Sequence, residues 1–214
     1  EDGYGLSPEV VDQAHARGAQ LIVTVDNGIS SHAGVEHARS LGIPVIVTDH
    51  HLPGDTLPAA EAIINPNLRD CNFPSKSLAG VGVAFKLAAA LHGDQEALLA
   101  EYCDLLCLGT VADVMPLTGE NRKMVWQGLQ ALANPKRVGI AALMAECGAM
   151  RPPITAGTIG YTLAPRINAA GRMGHVEIAT ELFLTNDAAR AVSLASQLCK
   201  LNRKRQDVES GIYK

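Results

Sequence analysis

The sequence predicts an α/β fold: a parallel, Rossmann-like sheet with flanking helices, followed by a mainly helical lobe. Three observations carry this. Short, continuously apolar, β-branched runs recur in the first 65 residues, and each stops at a polar cluster. Such runs, apolar on both faces, suit strands buried between helices. Helix-period segments stand between them, which is the strand-helix-strand pattern of a doubly wound sheet. Beyond about residue 77 the strand signals give way to Ala- and Leu-rich helical ones.

In order, Ser7-Pro8 reads as N-cap and first helical residue of a helix that Gly18 stops. Leu21–Val25 is the first strand and ends in Asp26-Asn27-Gly28. A helix follows over about 31–40, closed by Gly42, and then a second strand, Val45–Thr48, ends in Asp49-His50-His51. The third, Ala62–Ile64, ends in Asn65-Pro66-Asn67, and the Pro/Asn-rich stretch 65–76 reads as a long crossing loop. Helices are expected over 78–92, 96–108 and 122–133, with short ones at 138–147 and 155–163. The last starts from Asp187 as N-cap and shows Ala191, Leu194, Ala195, Leu198 and Leu201 on one face. The organisation this implies is a partial sheet region at 1–76 and a helical remainder at 77–214. Trp126 is expected in the core.

Composition narrows the function classes. Hydrophobic residues are 47% of the 214 and charged ones 19%, which excludes a disordered chain. No run approaches the about 18 apolar residues a membrane span needs, and the opening Glu1-Asp2-Gly3 is no signal peptide. Five cysteines, odd in number and without a C-x-x-C pair, read as reduced thiols of a cytoplasmic protein. Charge is lopsided: up to residue 120 there are 5 Lys and Arg against 16 Asp and Glu, and beyond it 13 against 6. The acidic half suits cations and the basic half suits phosphates.

The polar strand ends are where an open parallel sheet gathers ligands. Asp26, Asp49, His50 and His51 there combine carboxylate oxygen with imidazole nitrogen, a mixture fit for Mn²⁺ or Mg²⁺, with Zn²⁺ possible. Taken alone, Asp26-Asn27-Gly28 reads first as an Asx turn and only second as a ligand site. Asp113 is a lone carboxylate in the apolar run Leu108–Val114 and, if buried, needs a cation or several donors; a capping Asp is the other reading. Gly80 and Gly82 open a helix, where bare backbone N–H groups suit an anion, though close helix packing explains them too. Arg166, Asn168 and Arg172, among small residues, suit a phosphodiester clamp, with a plain surface loop as the alternative. The C-terminal Lys200, Arg203, Lys204 and Arg205 read as a solvated helix face.

Five segments in this order, Val25–Ser30, Val47–Pro53, Leu78–Ala84, Leu108–Asp113 and Pro165–Arg172, resemble the DHH phosphoesterase superfamily. The His-Leu-Pro extension and the Arg-Ile-Asn-Ala-Ala-Gly-Arg segment resemble its bacterial branch that degrades single-stranded DNA from the 5′ end in recombination and repair. The resemblance implies two divalent cations, usually Mn²⁺. It implies Asp26 as the ligand shared by both, and His50 and Asp113 as further ligands. It sets His51 at the scissile phosphate, Asp49 behind a neighbouring His, and Arg166, Asn168 and Arg172 on the nucleic-acid backbone. Partners would be single-stranded DNA and, with it, repair or replication proteins. Members acting on nano-RNA, cyclic dinucleotides or pyrophosphate, and a non-catalytic scaffold module, are the alternatives. Three departures stand out. Ala164 replaces an expected Gly. A first motif with two aspartates is expected before Glu1, and further domains are expected after Lys214. The resemblance therefore implies a segment inactive alone and holding at most one weakly bound ion, with Asp26, His50 and Asp113 close together. The sheet edge beside the missing strand is expected to be covered by a loop or another chain.

Overall fold

Strands form where β-branched apolar runs meet helices able to cover them, and the computed structural model, which describes residues 5–212, places them as the sequence predicts. β1 (Ile22–Val25), β2 (Val45–Thr48) and β3 (Ala62–Ile64) make one parallel sheet in that order. Val25 pairs with Thr48, and Thr48 with Ile64, so the three carboxyl ends finish level. α1 (Pro8–Ala16) starts from Ser7, whose hydroxyl accepts the N–H of Val10, and α2 (His32–Ser40) joins β1 to β2. Val11, Val35, Ala38, Val45 and Val47 are buried together in this layer.

The helices that follow are α3 (Gly80–His92), α4 (Gln95–Ala112), α5 (Gly119–Ala133), α6 (Val138–Glu146), α7 (Ala164–Arg172), α8 (Val176–Leu184) and α9 (Ala188–Ile212). The chain divides into two compact units. One runs to Glu101 and includes Met115–Lys123; the other comprises Tyr102–Val114 and the chain from Met124 onward. In the second, α6, α7 and α8 pack on α9, and Leu132, Ile140, Leu143, Leu182, Leu194 and Leu198 form its centre. Asp187 caps α9 as expected, its Oδ1 accepting the N–H groups of Ala189 and Arg190. No helix among the described residues is long and apolar enough to cross a membrane. All five cysteines are free thiols.

Three expectations need correction. α4 runs on through Gly109 to Ala112, because Leu106, Cys107, Leu108 and Thr110 keep it packed and one glycine costs only about 1 kcal/mol. Residues 158–163 form a π-helical turn that leads straight into α7, so the arginine-bearing segment is helix and not loop. Pro165 sits in its first turn, where no N–H is required, and Ala169 and Ala170 are fully buried. β1 is the outer strand of the sheet, and its Val23 and Val25 side chains, two residues apart and so on one face, are exposed.

Trp126 is the third. Val125, Leu129 and Leu132 define the inward face of α5, and Trp126 falls off it, 62% exposed. Trp126→Ala is therefore expected to change unfolding free energy by no more than about 0.5 kcal/mol, against about 3–5 for a buried Trp. Chemical denaturation followed by circular dichroism measures the difference, and a loss above about 2 kcal/mol would return the residue to the core.

Candidate metal centre

Level strand ends bring the polar clusters together. Asp26 follows β1 and donates its N–H to the Thr48 carbonyl at 3.0 Å; Asp49 follows β2 and donates to Ile64 at 3.0 Å. Asp26 has φ +66°, the left-handed region that Asp and Asn tolerate better than other side-chain-bearing residues. Its turn is held by Thr24, whose hydroxyl donates to the Asn27 carbonyl, and by Asn27, whose Nδ2 donates to the Val25 carbonyl at 3.0 Å. The turn reading holds, and the turn sets a half-exposed carboxylate at the sheet end.

Oδ1 of Asp26 lies 3.0 Å from Nε2 of the buried His50. One ligand atom each from Asp26, His50 and His51 falls within 4.8 Å of the other two. The His50 and His51 rings are 4.5 Å apart and tilted by 56°.

Asp49 orients both histidines. It is 1% exposed, and its Oδ1 accepts the N–H of His50 at 2.7 Å, the N–H of His51 at 3.2 Å and the Nδ1 of His51 at 2.7 Å. Its Oδ2 accepts the N–H of Ile29 at 3.0 Å. Burial pushes its pKa up, but the Ile29 N–H, the His51 ring and the N–H groups of His51 and His50 outweigh that and hold the carboxyl below the usual range. An ionised Asp49 fixes the proton of His51 on Nδ1 and leaves Nε2 as the basic nitrogen.

Sequence reasoning missed two supports. Asn65 is buried and donates from Nδ2 to the His51 carbonyl at 2.9 Å, while Asn67 donates to the His50 carbonyl at 2.6 Å. The signal was present: Asn-Pro-Asn ends the third strand at the position where Asp49-His50-His51 ends the second.

The glycines opening α3 separate in role. A Cβ on Gly80, the first residue of the helix, would overlap Oδ1, Cβ and Cγ of Asp26. The carboxylate therefore rests on the positive end of α3, a position only glycine leaves open. Gly82 is buried against the Leu78 side chain.

Asp113 belongs to the second unit, just past the end of α4, and is exposed, so of the two readings left open the one that buries it does not hold. A helix end leaves the last carbonyls and the next side chain to solvent, which removes the desolvation problem that singled the residue out. Val114 beside it has φ +55°, strained for a β-branched residue. Arg166, Asn168 and Arg172 all lie on α7 but split between faces. Asn168 and Arg172, one turn apart, line a small cavity; Arg166 is half-buried and donates from Nη1 to the Thr162 carbonyl.

The profile of the DHH family, N-terminal domain, matches residues 4–110. The chain is 60% identical over 225 residues to the single-stranded-DNA-specific exonuclease RecJ of Escherichia coli, covering 99% of this chain and 39% of that protein. The chain thus spans about two fifths of the length of this curated relative. Among solved structures, exonuclease RecJ bound to manganese superposes with a TM-score of 0.86 at 41% identity, over 99% of this chain and 54% of that one. RecJ from Thermus thermophilus in complex with Mn²⁺ gives 0.82 at 40%, over 96% and 31%. An Asp-His-His triplet closing β2, turned onto an aspartate closing β1, lies inside the matched span, and by sequence and by fold the chain belongs to the DHH family.

Proposed function

We propose that the chain is the metal-dependent core of a single-strand-specific DNA exonuclease, hydrolysing phosphodiester bonds from the 5′ end in recombination and repair. One observation carries this: Asp26, His50 and His51 converge at the strand ends of a chain 60% identical to a bacterial enzyme named for that activity.

The donor set suits the implied cation. A carboxylate oxygen and imidazole nitrogens, with no thiolate among them, match Mn²⁺, and Mg²⁺ as a harder alternative. Asp26 and His50 would hold it; Asp113, which the resemblance implies as a further ligand, belongs to the second unit. When bound, the cation supplies Lewis acidity toward water and a phosphoryl oxygen. The chain's own groups do the rest. Asp49 keeps His51 in the tautomer whose Nε2 can take or return a proton at the scissile phosphate. The first turn of α3 would meet an anion through the backbone at Gly80, while Gly82, whose N–H donates to the Ala79 carbonyl at 2.8 Å, would keep that turn close-packed. Arg166, Asn168 and Arg172 would position the sugar-phosphate backbone without reading sequence. Single-stranded DNA is the partner this predicts, with repair or replication proteins as further ones.

The test exchanges this segment for its counterpart in the Escherichia coli relative. The chimaera is expected to degrade a long single strand from its 5′ end with Mn²⁺, to spare duplex, and to lose activity by orders of magnitude on Asp26→Ala. Preference for a dinucleotide over the long strand would overturn the proposal. In the same chimaera Arg172→Ala should weaken binding of all sequences alike and flatten the slope of log affinity against log salt by about 0.7. A sequence-selective loss would assign the residue to base reading.

A further inference from the structure

We infer that the cavity between α7 and α9 is a binding site for one phosphate-sized anion, with Arg205 as its third polar wall. The inference rests on the reading of α7 as a backbone contact and extends it to a residue that the sequence placed on a solvated face. The cavity holds about 190 Å³, several times the share of one water; Asn168, Arg172 and Arg205 line it together with Ala112, Gly160, Ala164 and Pro165. Two guanidinium groups and a carboxamide face it from two helices, the remaining walls are small, and no carboxylate lines it. This is the composition of an oxyanion site.

Arg205 itself supplies a second, independent observation. Its Nη1 donates to Glu209 at 2.7 Å and its Nη2 to Asn202 at 3.3 Å. Its Nε–H is buried and has no acceptor among the described residues. Buried donors are rarely left so, and one beside an arginine-lined cavity points to an acceptor that arrives from outside. Arg203 and Lys204, its neighbours on the basic run, are exposed, whereas Arg205 is half-buried. Glu209 is about half exposed and offsets part of the Arg205 charge, so it competes with an incoming anion.

One chemistry, a phosphate oxyanion, can come from the backbone of a DNA strand or from a free phosphate or mononucleotide. The experiment separates them. Binding of inorganic phosphate, of a 5′-mononucleotide and of an oligothymidylate is measured in EDTA for the wild type, Arg205→Gln, Arg205→Lys, Glu209→Gln and Lys204→Gln. Thermal melts confirm folding, and the lysine variant keeps the stem and charge if the glutamine variant melts early. Arg205→Gln is expected to weaken phosphate binding about tenfold, Arg205→Lys to lose part of it, Glu209→Gln to tighten it and Lys204→Gln to leave it unchanged. If oligothymidylate binding falls in parallel, with a smaller salt slope, the source is the DNA backbone. If only phosphate and mononucleotide respond, the source is a free phosphate. Wild-type affinity retained by Arg205→Gln for all three ligands, or no phosphate binding by the wild type, overturns the inference. Because EDTA removes the cation, failure of the metal-dependent reaction would leave this binding intact, and the two readings fail separately.

Discussion

Gly80→Ala is expected to raise the Mn²⁺ concentration needed to broaden the His50 and His51 ring signals in proton NMR by about 10–100-fold, while Gly82→Ala leaves it unchanged. The two glycines lie two residues apart on α3. A methyl group at 80 would occupy the space of the Asp26 carboxylate, where backbone and side chain meet and neither can yield without moving the ligand. Displacing a ligand's support typically costs about 10–100-fold in metal affinity, and overpacking adds about 1–3 kcal/mol of destabilisation. A methyl group at 82 meets Cδ2 of Leu78 at 3.2 Å, the far end of a flexible side chain. There the helix gains up to about 1 kcal/mol from replacing glycine, which offsets the crowding. Equal Mn²⁺ responses from both variants would detach α3 from the site.

Asp49→Ala is expected to cost about 3–5 kcal/mol of folding stability, the largest effect of any single polar substitution at the strand ends. The carboxylate accepts from Ile29, His50 and both donors of His51, and its removal leaves main-chain N–H groups buried with nothing in place of it. Asp49→Asn keeps one acceptor oxygen and should lose less. The pH dependence has a definite sign. The native pKa lies below the ordinary 3.8, so the ionised Asp49 contributes its full stability above that value and loses it as pH falls through the lower native pKa. Urea unfolding in EDTA should show a constant gap between wild type and Asp49→Asn from neutral pH down to about 5, closing in stronger acid. A gap that stays open below the native pKa would mean that Asp49 acts by shape alone.

The sheet and the polar cluster at its strand ends were legible because each depends on local pattern. A strand of this sheet writes a short apolar, β-branched run even where, as in β1, one face stays exposed, and the polar residue after it stands at the sheet end. Asp26 and His50, 24 positions apart in sequence, are 3.0 Å apart for that reason. What could not be read depended on a second element. Asn65 and Asn67 look like loop residues until the register of β3 against β2 sets them under the histidine carbonyls. Gly80 looks like a phosphate loop until α3 is docked on β1 and the missing Cβ proves to be room for Asp26. Residue type alone misleads at Trp126, a tryptophan expected in the core that faces solvent, and leaves Asp113 open between a buried and an exposed carboxylate until the end of α4 exposes it.

The left-handed backbone of Asp26 sets two rankings of amino acids against each other at one position. Judged by folding yield, glycine and asparagine should equal or exceed aspartate there, since both accept φ +66° and neither places a charge beside His50 and His51. β-Branched residues should come last. Judged by cation retention, aspartate leads and glycine is worthless. A library at this site sorted for soluble expression would therefore enrich the variants that a sort for Mn²⁺ discards, and the divergence of the two pools is itself a map of where folding and chemistry make different demands on the same residue.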